Sequence, residues 1–220
     1  MSETIDAAGV EAWLRAFARA VAERRDELTA LDAAIGDADH GINMDRGLQA
    51  VLGKLDERAA GDATGEAVGT LLKTVGMTLV STVGGAAGPL YGTLFLRMAT
   101  AAGHAPTLTL AEWSTAFAAG VAGVQARGKA EPGDKTMVDT LVPASAALEA
   151  AAAEGVPAAA ALRRAAAAGQ RGMVATIPLV ARKGRASYLG GRSAGTQDPG
   201  ATSSWLLLEA AAALAAAAEP

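Results

Sequence analysis

The chain has 220 residues, enough for one substantial core, with a formal net charge of −4 and a pI near 5.2. That charge offers no basic field to a polyanion and the Lys and Arg residues form no long run, so nucleic acid is not expected as a partner. Alanine dominates, aromatic residues make up only 4% and cysteine is absent, so the expectation is one all-α domain over residues 1–220 with no disulfide framework. An acidic N-terminus (Glu3, Asp6, Glu11) does not read as a signal peptide, and the apolar run from Trp205 is broken by Glu209. A cytoplasmic protein that does not cross a membrane is expected.

In chain order, Val10, Trp13, Leu14, Phe17 and Val21 repeat at helical spacing and predict the first helix. A second, short one over 27–35 leads into an acidic turn. Met44, Leu48, Val51, Leu52 and Leu55 then predict a third helix, whose first turn begins near His40 to Asn43. Gly61 to Gly65 reads as a connection, Val68 to Val80 as an apolar helix, and Pro89 as a first-turn residue of the next. Thr109-Leu-Ala-Glu112 has the form of a capping box. Pro143 predicts a kink or early break in the helix from Met137, Pro157 opens an Ala-rich helix running towards Thr176, and the last helix begins near Ala201. About eight helices result, and Arg182 to Gly200, rich in Gly, Ser and Arg, is the longest stretch outside them.

The densest chemistry lies in Leu31 to Gly47, where Asp32, Asp37 and Asp39 crowd around Gly36. Hard divalent cations take anionic oxygens, usually one or two protein carboxylates each, with phosphate and water completing the shell. Asp-x-Asp after Gly is also ordinary turn chemistry, but the cluster follows no EF-hand pattern. The free amides at the start of the third helix would face it, which suits a phosphate. Walker and kinase Gly-rich motifs are absent, and with His104 as the only other histidine a Ser-His-Asp triad is hard to assemble.

Four polar or Gly-rich junctions interrupt the apolar helices, at residues 32–43, 84–93, 128–136 and 182–200. In an up-and-down bundle they would gather at one end, with acids to hold metal, Gly-rich turns to admit phosphate and Lys135 or Arg185 to offset its charge. Structural roles stand beside these: Gly84-Gly85 as a packing junction, Lys183, Arg185 and Arg192 as a solvated loop, Met137 as core.

Four long segments in order, Asp32-x4-Asp37-Ala-Asp-His-Gly-Ile-Asn43, Val83-Gly-Gly-Ala-Ala-Gly-Pro-Leu-Tyr-Gly-Thr93, Gly128-Lys-Ala-Glu-Pro-Gly-Asp-Lys-Thr-Met137, and Arg182-Lys-Gly-Arg-Ala-Ser-Tyr-Leu-Gly190 with Gln197-Asp-Pro-Gly-Ala-Thr-Ser203, resemble the L subunit of dihydroxyacetone kinase. The resemblance covers nearly the whole chain. It implies an antiparallel eight-helix barrel with ADP or ATP at one open end, held through two Mg²⁺ ions on Asp32, Asp37 and Asp39. His40, Gly41, Ile42, Asn43, Ala86 and Ala87 match nucleotide contacts, as do Gly128, Met137, Arg185, Asp198, Pro199 and Gly200. No residue is singled out as catalytic, Arg185 being the candidate for stabilising charge. The family often has Ser in place of Ala87, which removes a hydroxyl there and leaves the backbone amide.

The implied reaction is phosphoryl transfer to dihydroxyacetone held on a separate K subunit, with ADP kept as a coenzyme and rephosphorylated by a phosphoenolpyruvate-dependent phosphocarrier M subunit. Two alternatives stay open: an L subunit of an ATP-dependent dihydroxyacetone or tetrose kinase, and a nucleotide-loaded module that reports to a transcription regulator.

Overall fold

The computed structural model describes residues 4–60 and 65–217. Glu3 and most of the connection expected at Gly61 to Gly65 lie outside the described residues.

Nine α-helices are present among the described residues. The first, α1 (Ala7–Glu23), starts where the Asp6 carboxylate accepts the Gly9 amide at 2.8 Å, and the predicted stripe from Val10 to Val21 is buried throughout. After a break at Arg24 come α2 (Arg25–Ile35), α3 (His40–Ala59) and α4 (Val68–Thr82). Then follow α5 (Ala87–Ala102), with Pro89 in its first turn, and α6 (Leu110–Gly128), which opens on the predicted capping box of Thr109 and Glu112. The set closes with α7 (Val138–Ala153), α8 (Ala158–Ala175) and α9 (Pro199–Ala217).

Neighbours in space follow neighbours in sequence. Packing runs from α1 to α3, from α3 to α4 and on in chain order to α9, which returns to α1, while α2 packs mainly on α3 and α9. Gly69 of α4 lies against Ala99 and Gly103 of α5, and Gly76 against Gly92 and Leu96, so these two run antiparallel. In α5 and α6, Leu94 meets Gly120 and Leu90 meets Gly128, and the direction reverses again. The core fills the inside of this cycle. Trp13 meets Trp113 edge-on at 5.4 Å and Phe95 at 5.9 Å, and its indole N–H donates to the Leu207 carbonyl of α9 at 2.8 Å.

Three details depart from expectation. Thr4–Asp6 (β1) and Thr107–Thr109 (β2) pair as a small antiparallel ribbon, Thr4 opposite Thr109. Helix α7 neither stops nor breaks at Pro143; the carbonyl of Asp139, left without that residue's amide, lies against Gly172 of α8. Finally, α9 begins at Pro199, close to the expected Ala201, and although Glu209 interrupts it the helix is long and apolar enough by composition to cross a membrane, with 56% of that stretch buried and the helix packed against α1, α7 and α8.

Candidate functional site

All four junctions converge on one cleft of about 190 Å³ at one end of the bundle. Its acidic wall is built locally. Helix α2 ends at Gly36, where any β-carbon would fall 2.0 Å from Asp32 Oδ1, so glycine is required for the Asp32 carboxylate to turn back along the chain. The other oxygen, Oδ2, accepts the backbone N–H of Asp39 at 2.8 Å and of His40 at 3.1 Å, capping α3 from seven residues upstream. Between them Ala38 holds a left-handed φ of 63°, which costs an alanine roughly 1–2 kcal/mol. The turn brings one carboxylate oxygen each from Asp32, Asp37 and Asp39 to within 4.8 Å of one another. Such a donor set fits a divalent cation, with Asp32 buried, Asp39 half-buried and Asp37 exposed.

Around this wall the cleft takes His40 and Asn43 from the first turn of α3, Gly84 to Ala87 from the turn into α5, and Thr136 and Met137 from the turn into α7. Arg185 and the Asp198-Pro199-Gly200 start of α9 close the other side. Two helix starts, those of α3 and α5, therefore bring positive dipole ends to the acidic wall. Gly41, Ile42 and Gly128 lie outside the lining: Gly41 packs under α3 against Arg25 and Thr29, Ile42 is exposed, and Gly128 is set behind Leu90.

The two basic residues expected to offset negative charge part company. Arg185, 68% exposed at the side chain, reaches Asp37 at 3.1 Å and screens the acid cluster. Lys135 also lines the cleft, but its ammonium is taken up by backbone carbonyls. It is 1% exposed, holds a left-handed φ of 62°, and its ammonium donates to the carbonyls of Thr196 at 2.5 Å, Thr176 at 2.6 Å and Ile177 at 3.4 Å. Burial lowers its pKa, opposed by Asp198 and Asp139. It fastens the end of α8 and the approach to α9 beneath the cleft, and so holds backbone instead of phosphate.

Sequence reasoning also misses a buried chain of polar groups. His40 Nε2 meets Ser203 Oγ at 2.9 Å, and Ser203 meets the Tyr91 hydroxyl at 2.7 Å, which is also 3.0 Å from Ser204. Burial pushes the tyrosine up to about 12, and lowers the histidine against the pull of Asp32 and Asp39. Tyr91 and Ser203 stand in segments that carry the family resemblance but are given no role there; only the meeting of α3, α5 and α9 brings the chain together. Asp198 is buried as well, and desolvation pushes its carboxyl up to about 7 against the hydrogen bond from the Ala201 amide.

Comparison with known proteins bears on this geometry. The DAK2 domain matches residues 34–213. An Escherichia coli relative, "PEP-dependent dihydroxyacetone kinase, ADP-binding subunit DhaL", is 46% identical over 197 residues, 90% of this chain and 91% of the relative. The chain belongs to the DhaL family. A second member, from Listeria innocua and also named as the ADP-binding subunit of a PEP-dependent dihydroxyacetone kinase, is 42% identical over 90% of this chain and 91% of its own. Among solved structures, the dihydroxyacetone kinase from C. freundii in complex with AMP-PNP and Mg²⁺ superposes with a TM-score of 0.70 at 25% identity, over 91% of this chain and 33% of that one. The chain thus spans about a third of that kinase and nearly the full length of the stand-alone relatives.

Proposed function

We propose that this chain is the nucleotide-binding subunit of a dihydroxyacetone kinase, a single domain over residues 1–220 that works in the cytoplasm and transfers a phosphoryl group to dihydroxyacetone held on a separate K subunit. A phosphoenolpyruvate-dependent phosphocarrier, the M subunit, restores ATP from ADP in place. The observation that carries the reading is the convergence of three carboxylates, two helix starts and one exposed arginine on a single cleft, in a DhaL-family chain.

In this reading Asp32, Asp37 and Asp39 hold two Mg²⁺ ions. When bound, the metal draws charge from the phosphate oxygens as the transfer proceeds. The rest falls to the chain's own groups. The amides at Ala86 and Ala87 take phosphate oxygens beside the side chains of His40 and Asn43, Met137 packs against the nucleotide, and Asp198 to Gly200 bound its far side. Gly41, Ile42 and Gly128, being outside the lining, support these turns from behind. Arg185, paired with Asp37, stands where it can swing to the phosphoryl group in transit. A cleft of about 190 Å³ falls below the roughly 300–1,000 Å³ of pockets that enclose a ligand, which suits a site gripping the phosphates and leaving the outer face to a docking K subunit.

Extraction of nucleotide from the chain purified without added nucleotide tests this. About one ADP per chain, retained through desalting with Mg²⁺ and released by a chelator, is expected of a coenzyme site. Ready exchange of ATP for ADP would reassign it to the ATP-dependent kinases, and failure to take up either nucleotide with Mg²⁺ would overturn the proposal.

A further inference from the structure

We infer that Arg46, outside the cleft, is a positioning residue that fixes the side-chain amide of Asn43 so that it donates into the nucleotide site. The inference rests on the nucleotide reading above and adds to it the residue that orients one of its contacts.

Asn43 lies in the first turn of α3, is 7% exposed and lines the cleft. An asparagine presents an acceptor at one end of its amide and two donors at the other, and only the donor end suits an anionic ligand. Arg46 follows three residues later on the same helix and donates from Nη2 to Asn43 Oδ1 at 2.8 Å. A guanidinium has no acceptor, so the atom facing it must be the carbonyl oxygen; the reversed amide would set N–H against N–H. Asn43 Nδ2 makes no hydrogen bond to any described residue and is left for the cleft.

Rotation is blocked on another side. A β-carbon at Gly84 would fall 2.8 Å from Asn43 Oδ1 and 3.0 Å from Cγ and Nδ2, so the amide packs directly on the glycine backbone. Arg46 reinforces this contact by donating from Nε to the Thr82 carbonyl at 3.1 Å, at the last residue of α4. One exposed side chain thus ties the start of α3 to the Gly84-Gly85 turn, the two segments that bring amides to the site.

Calorimetric titration of the full chain with Mg·ADP, for wild type, Arg46→Ala, Asn43→Ala and the double variant, tests it. Each single variant is expected to weaken binding about tenfold, the worth of one charge-assisted hydrogen bond, with the double variant no weaker than Asn43→Ala alone. Arg46→Lys, which keeps one donor for Oδ1, should recover part of the loss, and Arg46→Ala should lower the melting temperature of the free chain only slightly, by an amount too small to account for the lost affinity, because the residue is exposed. Wild-type binding by Arg46→Ala or Asn43→Ala, or losses that multiply in the double variant, would overturn the inference and leave the nucleotide reading standing. Absence of binding by the wild type would remove that reading itself.

Discussion

The two sides of the cleft are held in opposite ways. On the acidic side, Asp32 is buried and binds two backbone amides, and the neighbouring Asn43 is wedged between Arg46 and Gly84. On the other, the 3-10 segment Arg185–Ser193, kinked at a non-helical Gly190, rests on a small apolar cluster of Ile35, Ala181 and Ala186 separate from the main core, and Tyr188 is 88% exposed. Its base is anchored, since Ser193 Oγ accepts the Ala181 amide at 2.9 Å and Lys135 grips Thr196. Its tip is joined to the acidic side by the Arg185–Asp37 pair, and exposed pairs of this kind contribute about 0–1 kcal/mol. Metal geometry demands fixed ligands, whereas exchange of substrate and docking of a partner demand a segment that opens cheaply. In the proposed function the two demands fall on separate sides of the cleft.

The largest effect that would break this contrast is at Asp32. Replacing it with Ala should reduce Mg-dependent nucleotide affinity by ~100-fold or more, and destabilise the free chain by about 1–2 kcal/mol through the two amides it leaves unpaired. Asp32→Asn keeps an acceptor for those amides and should lose the metal while keeping the melting temperature. Calorimetry and thermal melts of the two variants separate the roles; Asn binding Mg·ADP like wild type would make the acidic wall a purely structural turn. Next comes Arg185→Ala, assayed with a reconstituted K subunit. Turnover should fall by roughly 100-fold with nucleotide affinity and melting temperature little changed. A loss of affinity with turnover preserved would place Arg185 with the fixed side and erase the distinction.

How far each side was legible in sequence follows the same division. The acidic wall is local: its carboxylates and capped amides lie within one turn of chain, so Asp32 to Asn43 could be read as a unit, as could the stripe of α1 and the capping box at Thr109. What escaped depends on contacts between distant segments. Lys135 sits in a Gly- and Pro-containing polar loop and reads in sequence as a residue to offset phosphate charge, and only a left-handed backbone and the end of α8 turn its ammonium inwards. The pairing of Thr4 with Thr109 joins three-residue strands with no pattern of their own. Pro143 has the local signature of a stop, overridden because α7 is packed between α6 and α8.

The effect furthest from the chemistry concerns the anchor between the two sides. Asp198 begins α9 at the end of the 182–200 segment, with its amide held by Thr176 Oγ1 at 3.0 Å and its carboxylate capping Ala201 at 2.7 Å. Burial raises its pKa from 3.8 to about 7, so between those values the folded chain keeps a proton that the unfolded chain has released. Stability from this group is complete below about pH 4, declines as pH rises, and is gone once pH passes about 7. Denaturant melts of the metal-free chain should show that decline. Asp198→Asn, which retains an oxygen for the Ala201 amide and cannot ionise, should flatten it. An unchanged slope in the variant would mean that the carboxylate is already ionised at neutral pH, held by the Lys135 ammonium, and that the anchor is electrostatically matched in place of being desolvated.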